Sequence, residues 1–215
     1  KEIVFEMIRK GEIQIPTSED GRTPNVKSVN VYDLSKQGIL NVVDIISFND
    51  FHGNVAEDAS ESGKNLGMAK LARAVNDAVT QNPNTIVVSG GDNYQGTAIS
   101  NLTYGAPVSE MMKYMNVLAS AVGNHEFDWG AEHMAKWAED GNFTFLASNI
   151  YNKKTGKPVE WAKPYLIAEK GGIKVALIGL AHPDTTTLAK AEFVGEFEFR
   201  DVAASAQEWI DYLNA

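Results

Sequence analysis

The stretch Val117-Leu-Ala-Ser-Ala-Val-Gly-Asn-His-Glu-Phe-Asp128 is the part of the sequence that decides the fold. An apolar run typical of a strand ends at Gly123, and an amide, an imidazole and a carboxylate follow within five positions. Glycine lets the backbone turn sharply and approach a ligand closely. Asn124 offers a neutral oxygen ligand, His125 can donate a proton or a hydrogen bond, and Asp128 is near enough to orient that imidazole. The pattern predicts active-site chemistry where a strand ends.

Two earlier stretches repeat this design. Leu40-Asn-Val-Val-Asp-Ile-Ile-Ser-Phe-Asn-Asp-Phe-His-Gly53 is an apolar run that closes in Asp50 and His52, and Thr85-Ile-Val-Val-Ser-Gly-Gly-Asp92 closes in two glycines and a carboxylate. In an extended backbone, residues i and i+2 point to the same side, so we expect Asp50 and His52 to be able to ligate one cation. Three strand ends therefore present oxygen and imidazole groups, and none of them presents a thiol.

These three motifs resemble the first three motifs of a known family. Asn49-Asp-Phe-His-Gly53, Gly90-Gly-Asp-Asn-Tyr-Gln-Gly96 and Gly123-Asn-His-Glu-Phe-Asp128 are similar to those of the calcineurin-like metallophosphoesterases. The endings Gln95-Gly96 and Glu126-Phe127-Asp128 resemble the 5'-nucleotidase branch, which also contains UDP-sugar hydrolases and cyclic-nucleotide phosphodiesterases. The resemblance implies a metallophosphoesterase-type layered α/β sheet sandwich, incomplete at its C-terminal side. It covers residues 40–215 as the N-terminal part of the catalytic domain, and residues 1–39 are expected to be a lead-in segment or linker.

The resemblance also implies a site for two metal ions whose ligands come from all three strand ends: Asp50, His52 and Asp92 for one ion, and Asp92 and Asn124 for the other. Asp92 can bridge the ions because its carboxylate has two oxygens. Oxygen and imidazole ligands suit Zn, Mn, Co or Fe. Two such ions at about 3.5–4 Å can activate a shared water and stabilise an in-line phosphoryl transition state. His125, oriented by Asp128, would then stabilise the phosphoryl oxygens or the leaving oxygen.

Composition limits the class of protein. The chain has 215 residues, of which 44% are hydrophobic and 22% charged, as in a globular domain, and its net charge of −9 argues against non-specific binding of nucleic acid. Cysteine is absent, which excludes a disulfide framework and a thiolate metal site. No apolar run approaches the ~20 residues of a membrane-spanning helix, and no signal peptide is recognisable. Because the chain begins at Lys1, we interpret it as a processed or cut fragment, and the resemblance implies a periplasmic, secreted or cell-surface location.

Strand and helix patterns alternate along the chain. Helices are predicted over residues 66–81, 107–116, 130–139 and 201–214, strands over residues 85–89, 118–122, 143–148 and 173–180, and an extended ribbon over residues 157–169. The run 85–89 is continuously apolar and β-branched, which is typical of a strand buried on both faces of a parallel sheet. We interpret Met111, Met112 and Met115 as core residues. In open α/β sheets ligands bind at the carboxyl ends of strands, where all three motifs fall.

Several polar residues are weaker candidates. Asn93 and Gln95 are candidates for supporting contacts to the metal ligands or for phosphate contacts. Asn149 either borders the pocket or closes a turn. His133 lies in a predicted surface helix and is interpreted as structural, whereas His182 follows a strand on the functional side although the family places no ligand there. Each motif also has a plain alternative, such as a turn followed by a helix cap, and Asp128 could cap a helix instead of orienting His125.

Three functions compete at this point. The first is a metal-dependent phosphatase that hydrolyses phosphate esters of nucleotides, and the second is a cyclic-nucleotide phosphodiesterase or nucleotide-sugar hydrolase. The third is a non-catalytic surface module. The family's later histidine motifs do not occur in this sequence. We therefore expect this chain to bind at most one divalent ion tightly, to have little activity, and to self-associate through an exposed sheet edge.

Overall fold

A parallel sheet forms the centre of the structure, a computed structural model that describes residues 41–58 and 66–215. Its strands are β1 (Asp44–Phe48), β2 (Thr85–Ser89), β3 (Ala119–Ala121) and β4 (Thr144–Leu146). They pair in the order β1-β2-β3-β4, and every pair is parallel. The order of the strands in the sheet is the same as their order along the chain. Because neighbouring strands are parallel, each connection must cross back over the sheet, and these connections contain the helices. The predicted α/β class is confirmed.

The helices are α1 (Gly67–Gln81), α2 (Ala98–Leu102), α3 (Ala106–Tyr114), α4 (Glu132–Gly141), α5 (Thr185–Leu188), α6 (Ala191–Val194) and α7 (Val202–Asn214). Their ends have local causes. Pro83 follows the end of α1, where a proline cannot continue the helix. Asn142 ends α4 in the left-handed conformation with φ 51°, and Asp201 caps α7 by accepting the Ala204 N–H at 2.8 Å.

Two antiparallel pairs complete the strands: β5 (Ile150–Asn152) with β8 (Phe197–Phe199), and β6 (Tyr165–Lys170) with β7 (Ile173–Ile178). The predicted ribbon over residues 157–169 is wrong in its first half. Before Tyr165 this segment makes only isolated bridges, at Pro158 and Lys163. Pro158 and Pro164 lack the N–H that a strand ladder needs, which accounts for the difference. Gly171 and Gly172 form the predicted turn, both with positive φ.

The core lies between the parallel sheet and its crossover helices. Four of the five residues of β2 are buried, as predicted for a strand covered on both faces. Met111, Met112 and Met115 are 3%, 0% and 0% exposed and belong to the main hydrophobic cluster, so their assignment to the core is confirmed. Residues Val43–Ala215 form one compact unit. The segment 1–39, predicted to be a linker, lies outside the described residues.

Parallel strands place their carboxyl ends at one edge of the sheet. Three loops leave this edge: loop 1 (residues 49–54) after β1, loop 2 (residues 90–97) after β2, and loop 3 (residues 122–128) after β3. Each loop contains one of the three motifs. Within the described part of the chain, no helix combines the length and the apolar character required to cross a membrane.

Candidate active site

Loops 1 and 2 bring three metal-ligating groups together. Asp50, His52 and Asp92 each have a ligand atom within 4.8 Å of the ligand atoms of the other two. His52 Nε2 lies 3.6 Å from the Asp50 Oδ1 atom. Asp50 is exposed, while His52 and Asp92 are half-buried, so the group opens to solvent on one side. Two carboxylates and an imidazole match the oxygen and nitrogen ligands of Zn, Mn, Fe or Co, so these residues fit a divalent ion.

The backbone of these three residues differs from the sequence-based expectation. The extended arrangement predicted for Asp50 and His52 is wrong, because β1 ends at Phe48 and both residues are left-handed, with φ 52° and 49°. Asp92 has φ 55°. Left-handed φ costs most residues about 1–2 kcal/mol, although Asp and His tolerate it better than most. Such strain clusters at sites where the surrounding structure dictates the conformation.

Hydrogen bonds between loops 1 and 2 hold this strained geometry. The N–H groups of Asp50, His52 and Gly53 donate to the carbonyls of three consecutive residues of loop 2, at 3.0, 3.0 and 2.8 Å. In return, the Thr97 N–H donates to the His52 carbonyl at 3.2 Å. The two loops therefore continue the contact between β1 and β2 beyond the end of the sheet.

Gln95 orients His52 through its backbone. His52 Nδ1 lies 2.9 Å from the Gln95 carbonyl oxygen. A carbonyl can only accept a hydrogen bond, so Nδ1 carries the proton and the neutral ring keeps a free electron pair on Nε2. Metal-binding histidines commonly show this arrangement. Gln95 was a candidate for a supporting or a phosphate contact, and the structure places its carbonyl in the supporting position.

His125 and Asp128 form a pair beside the three candidate ligands. His125 Nδ1 lies 2.7 Å from Asp128 Oδ2, and the His125 ring centre lies 4.9 Å from that of His52. Burial lowers the pKa of His125, but the hydrogen bond and charge of Asp128, with smaller effects from Asp92 and Glu126, outweigh it. The pKa of His125 is therefore raised above its ordinary value. The predicted proximity of His125 and Asp128 is observed, and their catalytic role stays a prediction.

Loop 3 is fixed to Asp92 from two sides. The His125 N–H donates to Asp92 Oδ1 at 2.8 Å, so the carboxylate of one candidate ligand also holds the start of the turn His125–Phe127. Asn124 precedes this turn and is half-buried. A Cβ atom on Gly123 would lie 2.2 Å from Asp92 Oδ1, which leaves no room for any other residue there. The structure thus brings Asn124 to the same edge as the three candidate ligands.

Glu126 is a functional candidate that sequence reasoning missed. Its side chain is fully buried and accepts three backbone N–H groups, from Asp92 at 2.8 Å, Asn93 at 2.8 Å and Gly123 at 2.7 Å. Burial raises the pKa of Glu126 to about 7, against the lowering effect of these N–H groups. Only one of these donors, the Gly123 N–H, is close in sequence, and the other two lie 33 and 34 positions away, so no local pattern could have shown the set.

Asn93 and Asn149 are buried side chains that hydrogen-bond to other parts of the protein. The Asn93 side chain is fully buried, accepts from Ser89 Oγ at 2.7 Å and donates to Ser120 Oγ at 3.2 Å. It therefore supports loop 2 from below and has no surface for a phosphate. Asn149 is also fully buried, and its side chain bonds the Ala181 N–H at 2.8 Å and the carbonyls of Ala181 and Arg200. These bonds join Asn149 to segments 32 and 51 positions away, which is neither a pocket contact nor the closing of a local turn.

The described contacts of the two remaining histidines are with other residues. His133 is half-buried and stacks on Tyr104, with ring centres 5.0 Å apart, and on Trp137, at 5.5 Å. This agrees with a structural role and supplies ring partners that the sequence pattern did not show. His182 is exposed, and its Nδ1 accepts the Asp184 N–H at 3.2 Å.

Comparisons with known proteins agree with this geometry. A 5'-nucleotidase of Vibrio parahaemolyticus is 35% identical over 173 residues, which are 79% of this chain and 30% of that protein. A 2',3'-cyclic-nucleotide 2'-phosphodiesterase/3'-nucleotidase of Yersinia enterocolitica is 25% identical over 186 residues, which are 77% of this chain and 28% of that protein. The crystal structure of a 5'-nucleotidase precursor from Thermus thermophilus matches with a TM-score of 0.67 and 26% identity, over 79% of this chain and 34% of that one.

The chain spans about 30% of the length of the curated relatives that it matches. The model of one family, the calcineurin-like phosphoesterases, matches residues 44–212, which include all three loops and every strand of the parallel sheet. The match agrees with the resemblance of the three motifs and with the placement of their side chains at one sheet edge. The chain belongs to the calcineurin-like phosphoesterase family.

Proposed function

We propose that the whole protein is a metal-dependent phosphatase that hydrolyses phosphate esters of nucleotides, as the 5'-nucleotidases among its relatives do by name. One observation carries the proposal: Asp50, His52 and Asp92 converge within 4.8 Å at the sheet edge where the His125–Asp128 pair also lies. Groups that can bind metal ions and an oriented imidazole at one place are suited to phosphoryl transfer, which depends on positioning and on stabilisation of negative charge.

The residues that would hold the ions follow from this geometry. Asp50, His52 and Asp92 would hold one divalent ion, and Asp92 and Asn124 would contribute to a second. Bound ions supply positive charge to the phosphate oxygens and lower the pKa of a water molecule that attacks phosphorus. Asp92 would serve both ions with its carboxylate, while its Oδ1 atom also keeps the His125 backbone in place. This explains why one aspartate sits where loops 2 and 3 meet.

His125 would act on the substrate through its free ring nitrogen. Because Asp128 occupies Nδ1, the nitrogen left for the substrate is Nε2. The raised pKa of His125 increases the protonated fraction of the ring near neutral pH. A protonated imidazole donates from both nitrogens, so Nε2–H can donate to a phosphoryl oxygen or to the leaving oxygen, where negative charge develops.

A second candidate is cleavage of cyclic nucleotides or nucleotide sugars. It is favoured by the identity of 25% with a cyclic-nucleotide phosphodiesterase/3'-nucleotidase. The same three loops would serve either reaction, since an activated water attacks phosphorus in both: at a phosphodiester in a cyclic nucleotide and at the diphosphate link in a nucleotide sugar. A non-catalytic surface module that keeps the metal ligands is the third possibility.

A substrate panel separates these possibilities. We would identify the products formed from 5'-nucleotides, 2',3'-cyclic nucleotides and nucleotide sugars by chromatography, together with released phosphate, after chelator treatment and re-addition of Mn²⁺, Co²⁺ or Zn²⁺. The proteins would be this chain and a version extended to the length of its relatives. We expect the longer protein to prefer 5'-nucleotides, and this chain to bind at most one ion and release little phosphate. Preference for cyclic substrates would favour the second candidate, and tight metal binding without turnover would favour the third.

We also infer from the family resemblance that the whole protein acts in the periplasm, in the medium or at the cell surface. Measuring metal-dependent nucleotidase activity in intact cells with added substrate tests this, because nucleotides do not cross membranes freely. Activity that appears only after lysis would contradict it.

A further inference from the structure

We infer that Glu126 is a positioning residue that sets the place of Asp92 and of loop 3 relative to the other metal ligands. The inference rests on the proposed function, because it names a residue that the metal site needs. Glu126 is 0% exposed and cannot touch a substrate or an ion from solvent. Its effect would pass through the backbone groups that it binds.

The carboxylate of Glu126 accepts hydrogen bonds from the backbone of both loop 2 and loop 3. Oε1 accepts the Asn93 N–H, while Oε2 accepts the N–H groups of Asp92 and Gly123, at distances of 2.7–2.8 Å. Loop 2 supplies Asp92, and loop 3 supplies Asn124 and His125. One buried side chain therefore joins the two backbone segments that carry these groups.

The sheet itself does not provide this connection. Strands β2 and β3 pair at only two positions, Val88 with Ala119 and Ser89 with Ser120. Beyond Ser120, three described hydrogen bonds connect loops 2 and 3: the two that Glu126 accepts from Asp92 and Asn93, and the one from His125 N–H to Asp92 Oδ1. Gly91 also packs closely on Gly123. Removing Glu126 would take away most of the hydrogen bonds between them.

Only an acceptor with two oxygens suits the position. Three N–H donors converge on Glu126, and a carboxylate offers acceptor sites on both oxygens and no donor. Glutamine would place an NH₂ group against one set of backbone donors, so those donors would lose their partner inside the protein. Aspartate keeps both oxygens but is shorter by one methylene, so it cannot reach all three N–H donors at hydrogen-bond distance.

Loss of the Glu126 carboxylate would affect Asp92 directly, because the Asp92 N–H donates to it. Its φ of 55° is held by the surrounding bonds, among which is its own N–H to Glu126. Its Oδ1 atom is bound by loop 3 through the His125 N–H at 2.8 Å. If loops 2 and 3 shift apart, the Asp92 carboxylate moves relative to Asp50 and His52. A purely structural role for Glu126 predicts lower stability with an unchanged metal site.

The experiment compares Glu126→Gln and Glu126→Asp with the control Glu139→Gln, a change at an exposed glutamate on α4. Amide hydrogen exchange on the chelator-treated chain gives the first measurement. We expect the amides of Asp92, Asn93 and Gly123 to exchange faster in the Gln variant, while that of Val87 in β2 keeps its protection. Titration with Co²⁺, followed by its visible absorption, gives the second. We expect a loss of about 10- to 100-fold in affinity and an altered spectrum.

Glu126→Asp should show smaller changes in the same direction, and it becomes the deciding variant if Glu126→Gln does not fold. Unchanged exchange at the three amides would overturn the inference. A general loss of protection that includes Val87, together with a wild-type Co²⁺ affinity and spectrum, would also overturn it. If the unmodified chain binds no Co²⁺, the proposed metal site fails, and the exchange pattern alone decides the positioning role.

Discussion

The edge formed by loops 1 to 3 and the surface formed by the β6–β7 pair with α7 differ in backbone strain and in burial. At the loop edge, three candidate ligands have left-handed backbones, and a buried glutamate satisfies three N–H groups. At the other surface, α7 buries only Ser205 among its 13 residues, and Ile167 and Tyr212 are 52% and 62% exposed.

The contrast indicates where the molecule tolerates change. Gly123 has no room for a methyl group, whereas a Cβ atom added to Gly172, in the β6–β7 turn, would meet no atom within 4 Å. Strain and buried polar groups reduce stability unless the surroundings offset them, so their concentration at one edge indicates that position matters there. The second surface is more exposed and has room for an added Cβ atom, so we expect substitutions there to leave the metal site unaffected.

The largest effect should come from Asp92→Asn. This change removes the negative charge and one of the two oxygens that the proposed ions share. We expect kcat/KM of the longer protein to fall by about 10²-fold or more, or ~2.7 kcal/mol of transition-state stabilisation. Kinetics with 5'-nucleotides and metal analysis of the same samples measure it. Near-normal kinetics with full metal content would contradict the ligand assignment.

His133→Ala is the control for that experiment. His133 stacks on Tyr104 and Trp137, so its loss should lower stability but leave the metal content unchanged. A marked drop in metal content would show that His133, and not only the three loops, supplies a ligand.

Gly123→Ala should have the second largest effect. The new methyl group would overlap with Asp92 Oδ1, at 2.2 Å, and must displace this carboxylate. We expect Co²⁺ affinity of this chain to fall by about 10-fold and unfolding free energy by about 1–3 kcal/mol.

Gly156→Ala is the control for loss of stability without crowding, because its Cβ would meet no atom within 4 Å, while its φ of 64° imposes a strain that Gly123 does not have. Its stability should drop by about 1–2 kcal/mol with unchanged Co²⁺ affinity. If both glycine variants bind Co²⁺ equally well, the tight packing of the loop edge does not control the metal site.

The third prediction concerns the His125–Asp128 pair in chelator-treated protein. The pKa of His125 is raised in the folded state, so the pair stabilises the fold fully below the ordinary histidine pKa of about 6.5. This contribution is lost as pH rises through the raised folded pKa. Asp128→Asn should therefore lower the His125 pKa in an NMR titration, and it should destabilise the protein more at pH 6 than at pH 9. Equal destabilisation at both pH values would show that the pair does not act through its charge.

Local patterns explain what the sequence allowed us to predict. The buried strand β2, the helix α1 and the three strand ends depend on apolar periodicity and on breakers such as Pro83, which are visible within a short window. The α/β class and the convergence of Asp50, His52 and Asp92 at one edge follow from them, while the role of these residues as metal ligands rests on the family resemblance and stays a prediction. The turn at Asp50 and His52 was predicted with the wrong backbone, because left-handed φ is imposed by hydrogen bonds from loop 2.

Other features depend on distant segments and were not predictable in this way. The helices α2, α5 and α6 have five residues or fewer, which is too short for a helical period. Strands β5 and β8 have three residues each and are separated by 44 residues. The role of Glu126 depends on N–H groups up to 34 positions away, and a glutamate looks polar and exposed in any local window.

The smallest effect on stability should come from Ile167→Lys, and it tests the second surface. Ile167 is 52% exposed and pairs across β6–β7 with the exposed Ala176, while within residues 41–58 and 66–215 the outer edge of β7 has no strand partner. Exposed apolar edges tend to pair with another chain, and a lysine opposes this. We expect this chain to self-associate in a sedimentation concentration series and Ile167→Lys to weaken association several-fold. Because the side chain is exposed, the unfolding free energy of the variant should differ from that of the unmodified chain by less than about 0.5 kcal/mol, and Co²⁺ affinity should stay constant.

Ile99→Lys is the matched control, since Ile99 is 50% exposed but lies on α2, beside the loop edge. Equal weakening by both variants would assign association to general hydrophobicity, and a monomer at all concentrations would remove self-association from the properties of this surface.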